Sequence, residues 1–489
     1  MAPTSSVMEF RNRKDSESDE DEFKYLNLND SPTKTGPRRF GPLVVIFVGL
    51  PGRGKTVLAH KLERYLIWTN RKAQVFNVSS YRRKHIESYD SHDLFRVDNI
   101  EAFEIRQLSI HEAQQDAVKW LKSGGEVAIM DGPHATNDIR QNAYNYFWKK
   151  NGYKVLFVEC LCDDEELLER NEKEILQFSK DYRQMSTEKA SIDFHYKIEH
   201  YKEQYESMDS KIEPDHGFIK VFNGGQSLLA HRLEGPTARD VLQYISCLKT
   251  EEKTYYFSRH GESENNMLGK IGGDANLSAR GRMYAAALAR YFNEADIPDF
   301  RVWTSEKKRT KQTAQEIDAP KEHITALNEL DAGVCEGLSY EEMQEQYPQE
   351  FAWRDQDKLR YRYPWGESYV DIMTRLHPVL TELESENNLL VISHQAVLRC
   401  ILGYFLNKRI DELPYINVPL HTIIKLTTYG YKYKMEIIKL NVECVDTYRK
   451  KPQNCSVTRA PDDALKTVPS HFDNLKPAWI CTAPLIPQH

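Results

Sequence analysis

A glycine-rich loop between an apolar segment and a helix-forming segment constrains the fold of this chain more than any other feature. Residues 43–48 are all apolar, residues 49–56 read Gly-Leu-Pro-Gly-Arg-Gly-Lys-Thr, and a helix is predicted over 57–66. This order matches G-x-x-x-x-G-K-[ST] in its strand–loop–helix context, where backbone N–H groups at a helix N-terminus bind phosphate. The loop predicts a nucleotide site formed by Gly49, Leu50, Pro51, Gly52, Arg53, Gly54, Lys55 and Thr56.

Three side chains are candidates for the metal and phosphate chemistry of this site. Lys55 is expected to reach the β and γ phosphates, and the Thr56 hydroxyl is expected to hold Mg²⁺. Asp131 follows a predicted strand at 126–130, so its carboxylate would lie beside the loop and bind the metal or the acceptor hydroxyl. An Asp at a strand end is also a frequent helix cap, and this position alone leaves both interpretations open.

The remaining pattern predicts two α/β domains, the first of which has a mostly parallel sheet and flanking helices. In the first, strands at 74–78, 126–130 and 155–159 alternate with helices such as 100–121, and a long charged helix is predicted at 186–205. In the second, strands at 254–258, 300–304 and 388–393 accompany a helix at 279–292. Strands separated by helices favour parallel pairing. The predicted domain boundaries are 39–250 and 251–448.

The two ends of the chain have compositions that do not favour a packed core. Six of the eight residues at 15–22 are acidic, so residues 1–38 are predicted to be a disordered acidic tail. This tail is either a solubilising end or a regulatory segment phosphorylated at Ser16, Ser18 or Ser31. Residues 449–489 are predicted to be a Pro-rich C-terminal tail.

Charge and hydropathy exclude several classes of partner. Lys and Arg total 66 against 73 Asp and Glu, a net charge of -7, so no overall basic field would hold nucleic acid or an anionic membrane. The longest strongly apolar run, 43–50, has the length of a strand and not of a membrane span. The first thirty residues contain no apolar signal segment. We therefore expect a cytoplasmic protein without nucleic-acid or membrane partners.

A second set of residues predicts phosphoryl transfer through a histidine. Arg259 and His260 follow the predicted strand at 254–258, the end at which open α/β sheets bind ligands. His260 is the candidate nucleophile, and the candidate acid is Glu329. The candidate groups around the phosphoryl oxygens are Arg259, Arg309 and His394. Each residue alone is ordinary, since a single His after a strand is more often structural, and the prediction depends on their occurring together.

The first half resembles the kinase half of the bifunctional 6-phosphofructo-2-kinase/fructose-2,6-bisphosphatase family. The resemblance lies in the loop at 49–56, in Val-Phe-Asn-Val-x-x-Tyr-Arg-Arg at 75–83 and in Arg106. It implies ATP with Mg²⁺ as phosphoryl donor and fructose 6-phosphate as acceptor. It implies nucleotide contacts at Asn171 and Lys173, a catalytic Cys162, and sugar-phosphate contacts at Arg82, Arg106, Thr136, Arg140, Lys197 and Tyr201.

Three departures from the family pattern weaken the expected kinase. The family's Asp-Ala-Thr-Asn is stretched to Asp131-Gly-Pro-His-Ala-Thr-Asn137, which shifts Thr136 relative to Asp131. A family Lys is Leu176 here, although Lys173 lies one turn earlier, and a family Arg is Lys197. Lysine keeps the charge of arginine but loses its forked pair of donors.

The second half resembles the histidine phosphatase (phosphoglycerate mutase-like) superfamily through Arg-His-Gly-Glu at 259–262, Thr-Ser-x-x-x-Arg-Thr at 304–310 and Ser-His-Gln at 393–395. Further segments, including Ile-Gly-Gly-Asp at 271–274 and Tyr-Arg-Tyr-Pro at 361–364, resemble the bisphosphatase half of the same family. The resemblance implies that fructose 2,6-bisphosphate is held by Arg259, Asn266, Gly272, Tyr340, Arg354, Lys358, Tyr369, Gln395 and Arg399, and Asn266 is also expected in the catalytic set. Arg362 is an additional basic candidate.

The two resemblances together imply an enzyme that makes and hydrolyses fructose 2,6-bisphosphate and so regulates glycolysis and gluconeogenesis. They also imply a homodimer, and the tails are candidate targets of regulatory protein kinases. Two alternatives stay open at this point. The chain could be a phosphatase-dominant enzyme with a weakened or silent kinase half, or a sensor that binds nucleotide and sugar phosphate without turnover.

Overall fold

The first sheet is mostly parallel and has the strand order β2-β3-β1-β4-β5-β6. The structure is a computed structural model that describes residues 41–86, 89–249 and 252–451, so the predicted N-terminal tail and its three serines lie outside the described residues. Only the last strand of this sheet pairs antiparallel. The strands are β1 (Leu43–Val48), β2 (Ala73–Asn77), β3 (Val127–Asp131), β4 (Lys154–Leu161), β5 (Gly217–Phe222) and β6 (Ser227–His231).

Strand β1 lies at the centre of this sheet and is buried on both faces. Leu43, Val45 and Phe47 pack on one side, and the alternate residues Val44 and Ile46 pack on the other. Because neither face meets water, every position of the strand is apolar and the usual alternation with polar residues is absent. This arrangement explains the continuous apolar run that precedes the glycine-rich loop.

Helices cover both faces of the first sheet. Asn77 shows how the sequence sets a boundary: its side chain accepts a hydrogen bond from the Ser80 N–H at 3.0 Å, so the strand predicted at 74–78 ends one residue early and a helix begins at Val78. The helices are α1 (Lys55–Trp68), α2 (Val78–Arg82), α3 (Ile100–Lys122), α4 (Asn137–Tyr144), α5 (Glu165–Phe178), α6 (Thr187–Lys202) and α7 (Pro236–Cys247). Short 3₁₀ turns at His92–Phe95 and Asn223–Gly225 and a π-helical turn at Asn145–Lys150 complete this half.

The second sheet has the order β12-β11-β7-β10-β8-β9. The neighbouring strands β7, β10, β8 and β9 run parallel, and β11 pairs antiparallel with both of its neighbours, β7 and β12. The strands are β7 (Thr254–Arg259), β8 (Arg301–Thr304), β9 (Lys321–His323), β10 (Leu389–Ser393), β11 (Thr422–Tyr429) and β12 (Lys432–Lys439). The prediction of two α/β domains is confirmed, and so is the mostly parallel sheet of the first.

The helices of the second half are α8 (Glu264–Met267), α9 (Ala279–Asn293), α10 (Lys308–Ala314), α11 (Tyr340–Gln346), α12 (Pro348–Gln356), α13 (Tyr369–Leu383) and α14 (Gln395–Phe405), with 3₁₀ turns at Thr325–Leu327, Gly333–Cys335 and Ile410–Tyr415. Two of them, α13 and α14, share a hydrophobic core with β7 and β10. Within the described ranges, no helix combines the length and the apolar character that crossing a bilayer requires.

The two sheets belong to one compact unit, and helix α1 joins them. Trp68, the last residue of α1, is buried in the core of the second half, edge-on to Tyr404 with ring centroids 5.7 Å apart. Lys61 and Arg64 on the same helix bind the Glu384 carboxylate at 3.0 and 2.8 Å. Tyr404 donates a third hydrogen bond to this carboxylate at 3.1 Å. We call Lys61, Arg64, Glu384 and Tyr404 the interdomain ion cluster.

Glu384 is ionised within this cluster although it is fully buried. Burial by itself raises the pKa of a carboxyl group, but the nearby cations Lys61, Arg64 and Lys253 together lower the pKa of Glu384 to about 2. Burial would lower the pKa of both cations, but Glu384 raises the pKa of Lys61, and Tyr404 and Glu384 raise the pKa of Arg64. Removal of the Glu384 carboxylate, or of the cations that bind it, would leave the opposite charge buried without compensation in a low-dielectric interior.

Candidate active sites

The glycine-rich loop adopts a conformation that requires glycine at two positions. Gly49 has a φ of +133°, and a Cβ added there would lie 2.5 Å from the Cys160 carbonyl oxygen. Gly54 has a φ of +80° at the N-cap of α1. The Lys55 ammonium folds over the loop and donates to the Leu50 carbonyl at 2.5 Å, and burial lowers its pKa to about 8. The loop therefore presents backbone donors and one cation to a common point, as phosphate binding requires.

A cavity opens beside this loop and is bounded by both halves of the chain. Among the predicted nucleotide residues, Arg53, Gly54 and Asn171 line it, and Asn171 also donates to the Gly52 carbonyl at 2.9 Å. The sequence did not predict several further lining residues, namely Lys61, Arg170, Glu174, Gly224, Glu252, Thr428 and Gly430. Thr428 and Gly430 come from the β11–β12 hairpin of the second half, and nothing in the local sequence signals their approach.

The structure does not bring Lys173 to this cavity. Lys173 is exposed and does not line the cavity, whereas Arg170, Asn171 and Glu174 do. Residues two apart on a helix point in nearly opposite directions, so Lys173 cannot share the face of Asn171. Leu176, at the position of the family lysine, packs partly buried against Tyr182 and Phe194.

Asp131 lies where the sequence predicts, at the carboxyl end of β3 beside the loop. It is 3% exposed and accepts a hydrogen bond from the Asn77 side chain at 2.5 Å. It caps no helix, since α4 begins later and is capped by Thr136, whose hydroxyl accepts from the Ile139 N–H at 3.3 Å. A carboxylate and the exposed hydroxyl of Thr56 near a phosphate cradle suit a hard cation such as Mg²⁺.

Cys162, the predicted catalytic cysteine, lines the cavity beside the loop. Its side chain is a thiol there. Its Sγ donates weakly to the Asp164 carbonyl at 3.8 Å, and burial raises its pKa. A raised pKa disfavours the thiolate, which is the nucleophilic form of cysteine. The geometry therefore fits a contact residue better than a nucleophile.

Four of the predicted sugar-phosphate residues gather around one aromatic ring. Phe95 is buried, with the Lys197 ammonium 4.4 Å and the Arg82 guanidinium 5.0 Å from its ring centroid, and with the Tyr201 ring 5.6 Å away. Arg106 lies nearby, with its guanidinium donating to the Leu94 and Arg96 carbonyls. We call Arg82, Arg106, Lys197 and Tyr201 the acceptor-phosphate cluster.

Arg140 does not belong to this cluster, and its predicted role is corrected by the structure. Its side chain is about 1% exposed and forms a forked pair with Glu213, with N–O distances of 2.8 and 2.9 Å. The remaining amino group donates to three backbone carbonyls, those of His134, Ala135 and Glu206. All three guanidinium nitrogens of Arg140 thus bind acceptors of the protein and hold the loop at 131–137, which is a structural role.

Parallel pairing explains why the distant motifs of the second half meet. Arg259 ends β7 and Ser393 ends β10, and these two residues are paired in register. The residues that follow them, His260 and His394, therefore emerge at the same edge of the sheet, with ring centroids 5.2 Å apart. Strand β8 ends at Thr304 on the other side of β10, which brings Ser305 to this edge as well.

His260 is held as a neutral imidazole with a defined tautomer. Its Nδ1 lies 2.7 Å from the Gly261 carbonyl and must donate, which leaves the lone pair on Nε2. Burial, together with the neighbouring Arg309 and Arg259, keeps its pKa well below the ordinary value. A neutral ring with a free Nε2 is the form that can attack phosphorus.

His394 is fixed by partners on both ring nitrogens. Arg309 donates to Nδ1 at 3.1 Å, so Nε2 carries the hydrogen and donates to the Ser305 hydroxyl at 2.7 Å. Burial and the neighbouring Arg309 and His260 keep the pKa of His394 well below its usual range.

Glu329 lies opposite these residues at the start of α14. Its carboxylate accepts hydrogen bonds from the backbone N–H groups of Leu330, Gln395 and Ala396 at 2.9, 3.1 and 3.2 Å. Two of these donors form the first turn of α14, whose positive dipole end faces the carboxylate. The carboxyl group is therefore oriented by backbone and not by a mobile side chain.

One cavity collects the predicted residues of the second half. They line it together: Arg259, His260, Asn266, Gly272, Arg309, Glu329, Tyr340, Arg354, Lys358, Tyr369, Gln395 and Arg399. His394 lies just behind this wall through its bond to Arg309. Burial and the neighbouring Arg399 and Arg354 keep the pKa of Lys358 well below its ordinary value. Arg362 is not part of the wall, because its guanidinium pairs with Asp371 on the exposed side of α13.

Four residues that line this cavity each carry a buried donor with no hydrogen-bond partner within the described residues. They are Arg259 Nε, Arg354 Nη1, Gln395 Nε2 and Arg399 Nη2. An unmet buried donor costs about 1–3 kcal/mol, so a set of them in one cavity points to a ligand rich in acceptor oxygens.

Residues near the C-terminal boundary also reach this cavity, which the sequence did not predict. Thr447 accepts a hydrogen bond from Arg259 at 2.7 Å, and Arg449 is buried with an ion pair to Asp355. Arg449 lies one residue beyond the predicted boundary at 448, where the Pro-rich composition hid its burial. Lys270 lines the cavity as well, with Tyr361 and Tyr363 from the segment at 361–364.

Comparison with known proteins matches a different family model to each half of the chain. The family model for 6-phosphofructo-2-kinase matches residues 32–251, and that for the histidine phosphatase superfamily (branch 1) matches residues 255–441. The chain is 48% identical over 432 residues to the 6-phosphofructo-2-kinase/fructose-2,6-bisphosphatase of Gallus gallus, covering 88% of this chain and 92% of that protein. It is 46% identical to form 1 of Mus musculus and 45% identical to form 4 of Homo sapiens, covering 88% of this chain and 91% and 92% of those proteins.

Among solved structures, the alpha-ribazole phosphatase from Shigella flexneri matches with a TM-score of 0.36 and 21% identity, covering 39% of this chain and 97% of that one.

Proposed function

The chain belongs to the 6-phosphofructo-2-kinase/fructose-2,6-bisphosphatase family, and from this premise we propose how its residues divide the work between two sites. The protein is a bifunctional enzyme. Its first half transfers a phosphoryl group from ATP to fructose 6-phosphate, and its second half hydrolyses the resulting fructose 2,6-bisphosphate. The assignment of individual residues below is our proposal.

In the kinase site, the loop at 49–56 binds the phosphates of ATP, and Lys55 leaves the Leu50 carbonyl for the β and γ phosphates. Thr56 and Asp131 would hold Mg²⁺, which supplies charge neutralisation on the transferring phosphoryl group when it is bound. Arg82, Arg106 and Lys197 bind the 6-phosphate of the acceptor, and Tyr201 contacts the sugar. Asn171 and Arg170 contact the nucleotide from α5.

In the bisphosphatase site, His260 Nε2 attacks the phosphorus of the 2-phosphate, and the bond from phosphorus to the sugar oxygen breaks. Arg259, Arg309 and His394 stabilise the charge on the phosphoryl oxygens. Glu329 is the general acid of this step and gives a proton to the departing sugar oxygen. Water then attacks the phosphohistidine and passes a proton to Glu329, which releases phosphate and restores the neutral His260.

One observation carries the bisphosphatase assignment. Arg259, Arg354, Gln395 and Arg399 each carry a buried donor without a partner in the described part of the chain. All four line the cavity that His260 and Glu329 also line. A sugar bisphosphate carries acceptor oxygens at both ends. When it is bound, these oxygens can accept hydrogen bonds from the donors that lack a partner. Arg354, Lys358 and Arg399 are proposed to hold the phosphate that is not transferred.

The kinase assignment predicts that Lys55→Met lowers ATP-dependent synthesis of fructose 2,6-bisphosphate by about 10²-fold or more, because one charge-assisted contact to the transferring phosphoryl group is lost. Synthesis is measured in a His260→Ala background, so that the product is not hydrolysed as it forms. Lys72→Met, at an exposed position of the same half, is the matched control. Equal synthesis by Lys55→Met and the control would refute the assignment of the loop.

The departure at Leu176 makes a second prediction. Leu176 packs against Phe194, whose ring lies 3.2 Å from the position of a Cβ on Gly52, so a longer cationic side chain there can reach the loop. We expect Leu176→Lys to raise the kinase kcat by roughly 10-fold, the effect of one added charge-assisted hydrogen bond. Leu176→Met controls for shape, and a Lys variant no faster than the Met variant would show that the departure is neutral.

Of the two alternatives, the sensor is disfavoured because both halves match catalytic families and the histidine, acid and clamp residues are all in place. The phosphatase-dominant alternative is not favoured either, and the two kinase variants above measure it directly. Domain boundaries at 39–250 and 251–448 remain our proposal.

The family implies further properties that we propose for this chain. They are a cytoplasmic location, a homodimer and phosphorylation of the tails by regulatory protein kinases. Fractionation of cells, light scattering of the purified protein and mass spectrometry of its tails test these three in turn.

A further inference from the structure

Asp181 is a buried acid within a group of cations that should bind an anion. It lies in the loop after α5 and is 8% exposed. Its Oδ2 accepts from Arg82 Nη2 at 2.5 Å, and its Oδ1 accepts from Arg83 Nε at 2.8 Å. The nearby cations Arg82, Lys197 and Arg83 lower its pKa to about 2 against the effect of burial. A carboxylate beside a phosphate site would repel the ligand, so its presence needs an explanation.

Asp181 engages only part of the cluster's donor capacity. Arg82 uses one of its five N–H groups on Asp181, and its guanidinium also lies over the faces of Tyr89 and Phe95, at 5.7 and 5.0 Å. The Lys197 ammonium lies over the same two rings, and it has no hydrogen-bond acceptor within the described part of the chain. Asp181 therefore holds Arg82 through one N–H group and makes no hydrogen bond with Lys197 in that part of the chain.

Charge balance gives Asp181 a second effect. The charged groups that face Lys197 are Arg82 and Arg83 at the end of α2, Asp181 after α5, and Asp193 on α6, the helix of Lys197 itself. Burial and then Arg82 lower the pKa of Lys197 to about 7, while Asp181 and Asp193 raise it. Without Asp181, two guanidinium groups and one ammonium would lie together with less compensation, and Lys197 would give up its proton more readily.

We propose that Asp181 is a positioning residue for the 6-phosphate of the acceptor sugar, which fixes the Arg82 guanidinium and balances the charge of the cluster so that Lys197 meets the phosphate as a cation. The inference rests on the proposed kinase function. It differs from that function in assigning a role to an acid that does not itself touch the ligand.

Asp181→Asn tests the proposal, because the amide keeps the shape and removes the charge. In the His260→Ala background we expect the KM for fructose 6-phosphate to rise between about 10- and 100-fold, with kcat changed less than about threefold and the KM for ATP unchanged. The KM should also begin to rise at a lower pH than in the parent, because a cationic Lys197 is lost sooner. A merely structural role would not move this pH profile. Asp215→Asn, which removes an exposed partner of Arg232, is the matched control.

The outcomes separate the two hypotheses. If the His260→Ala parent neither makes product nor binds fructose 6-phosphate by calorimetry, the proposed kinase function fails, and this inference fails with it. If the parent is active and Asp181→Asn has an unchanged KM and pH profile, the inference alone is overturned. Hydrolysis of fructose 2,6-bisphosphate by Asp181→Asn in the otherwise native chain reports whether the variant is folded. If it is not, Asp181→Glu decides, since the inference requires a raised KM with the parent's pH profile.

Discussion

Replacement of His260 by alanine is expected to lower the hydrolysis of fructose 2,6-bisphosphate by at least about 10⁴-fold, the scale seen when a nucleophile is removed from covalent catalysis. The physical reason is that Nε2 of His260 has the only free lone pair described on the two imidazoles of this cavity, since both nitrogens of His394 are engaged. ATP-dependent synthesis should persist, because the kinase cavity lies elsewhere in the chain.

The measurement uses fructose 2,6-bisphosphate labelled at the 2-phosphate. The native chain should acquire an acid-labile, base-stable label, the behaviour of a phosphorus–nitrogen bond, and His260→Ala should acquire none. His85→Ala, at a surface position paired with Glu112, should label and hydrolyse like the native chain. Hydrolysis by His260→Ala within a factor of ten of the native rate would remove His260 from the mechanism.

Glu384→Gln is expected to destabilise the protein by about 3–5 kcal/mol, because it leaves Lys61 and Arg64 buried without their counter-charge. Urea unfolding followed by tryptophan fluorescence measures the loss, and Trp68 in the adjacent core reports on the same region. Glu386→Gln is the matched control, since Glu386 makes only a partly exposed contact with Arg301 at 3.7 Å. A change in the unfolding free energy below about 1 kcal/mol for Glu384→Gln would contradict the role of the interdomain ion cluster.

The same residue sets a dependence of stability on pH. The folded-state pKa of Glu384 is about 2, below the ordinary value of 4.5 for a glutamate side chain. A depressed pKa means that the unfolded chain binds the proton more readily, so the contribution is present above about pH 4.5 and is lost as the pH falls toward 2. We expect the native chain to lose its advantage over Glu384→Gln across this interval, as measured by the urea midpoint.

Local patterns in the sequence predicted the fold and much of both sites. The apolar strand, the glycine-rich loop and helix α1 follow one another directly in the chain. Their order alone therefore predicts the strand–loop–helix unit. The second site was also predictable, because Arg259, His260 and His394 all follow strand ends, and parallel pairing brings strand ends to one edge.

The errors and omissions have a common physical cause. Arg140 was assigned to a ligand because the local sequence does not show whether an arginine faces a ligand or a buried acid. Its partner, Glu213, lies 73 residues away in the chain. The partners Asp181 and Arg82 are 99 residues apart, and no local pattern links them. Lys173 is exposed and lies away from the face of Asn171, a direction that residue type alone does not indicate.

Helix α1 has a consequence for how this enzyme can be studied in pieces. A fragment that begins after the first half would lack Trp68, Lys61 and Arg64, and its Glu384 would become a buried anion without a cation from α1. Such a fragment must rearrange, protonate Glu384 or expose its core. Rates and stabilities measured on truncated halves would then describe proteins that differ from the full chain. A substitution on the face of α1 that contacts the second half should be assayed for both synthesis and hydrolysis.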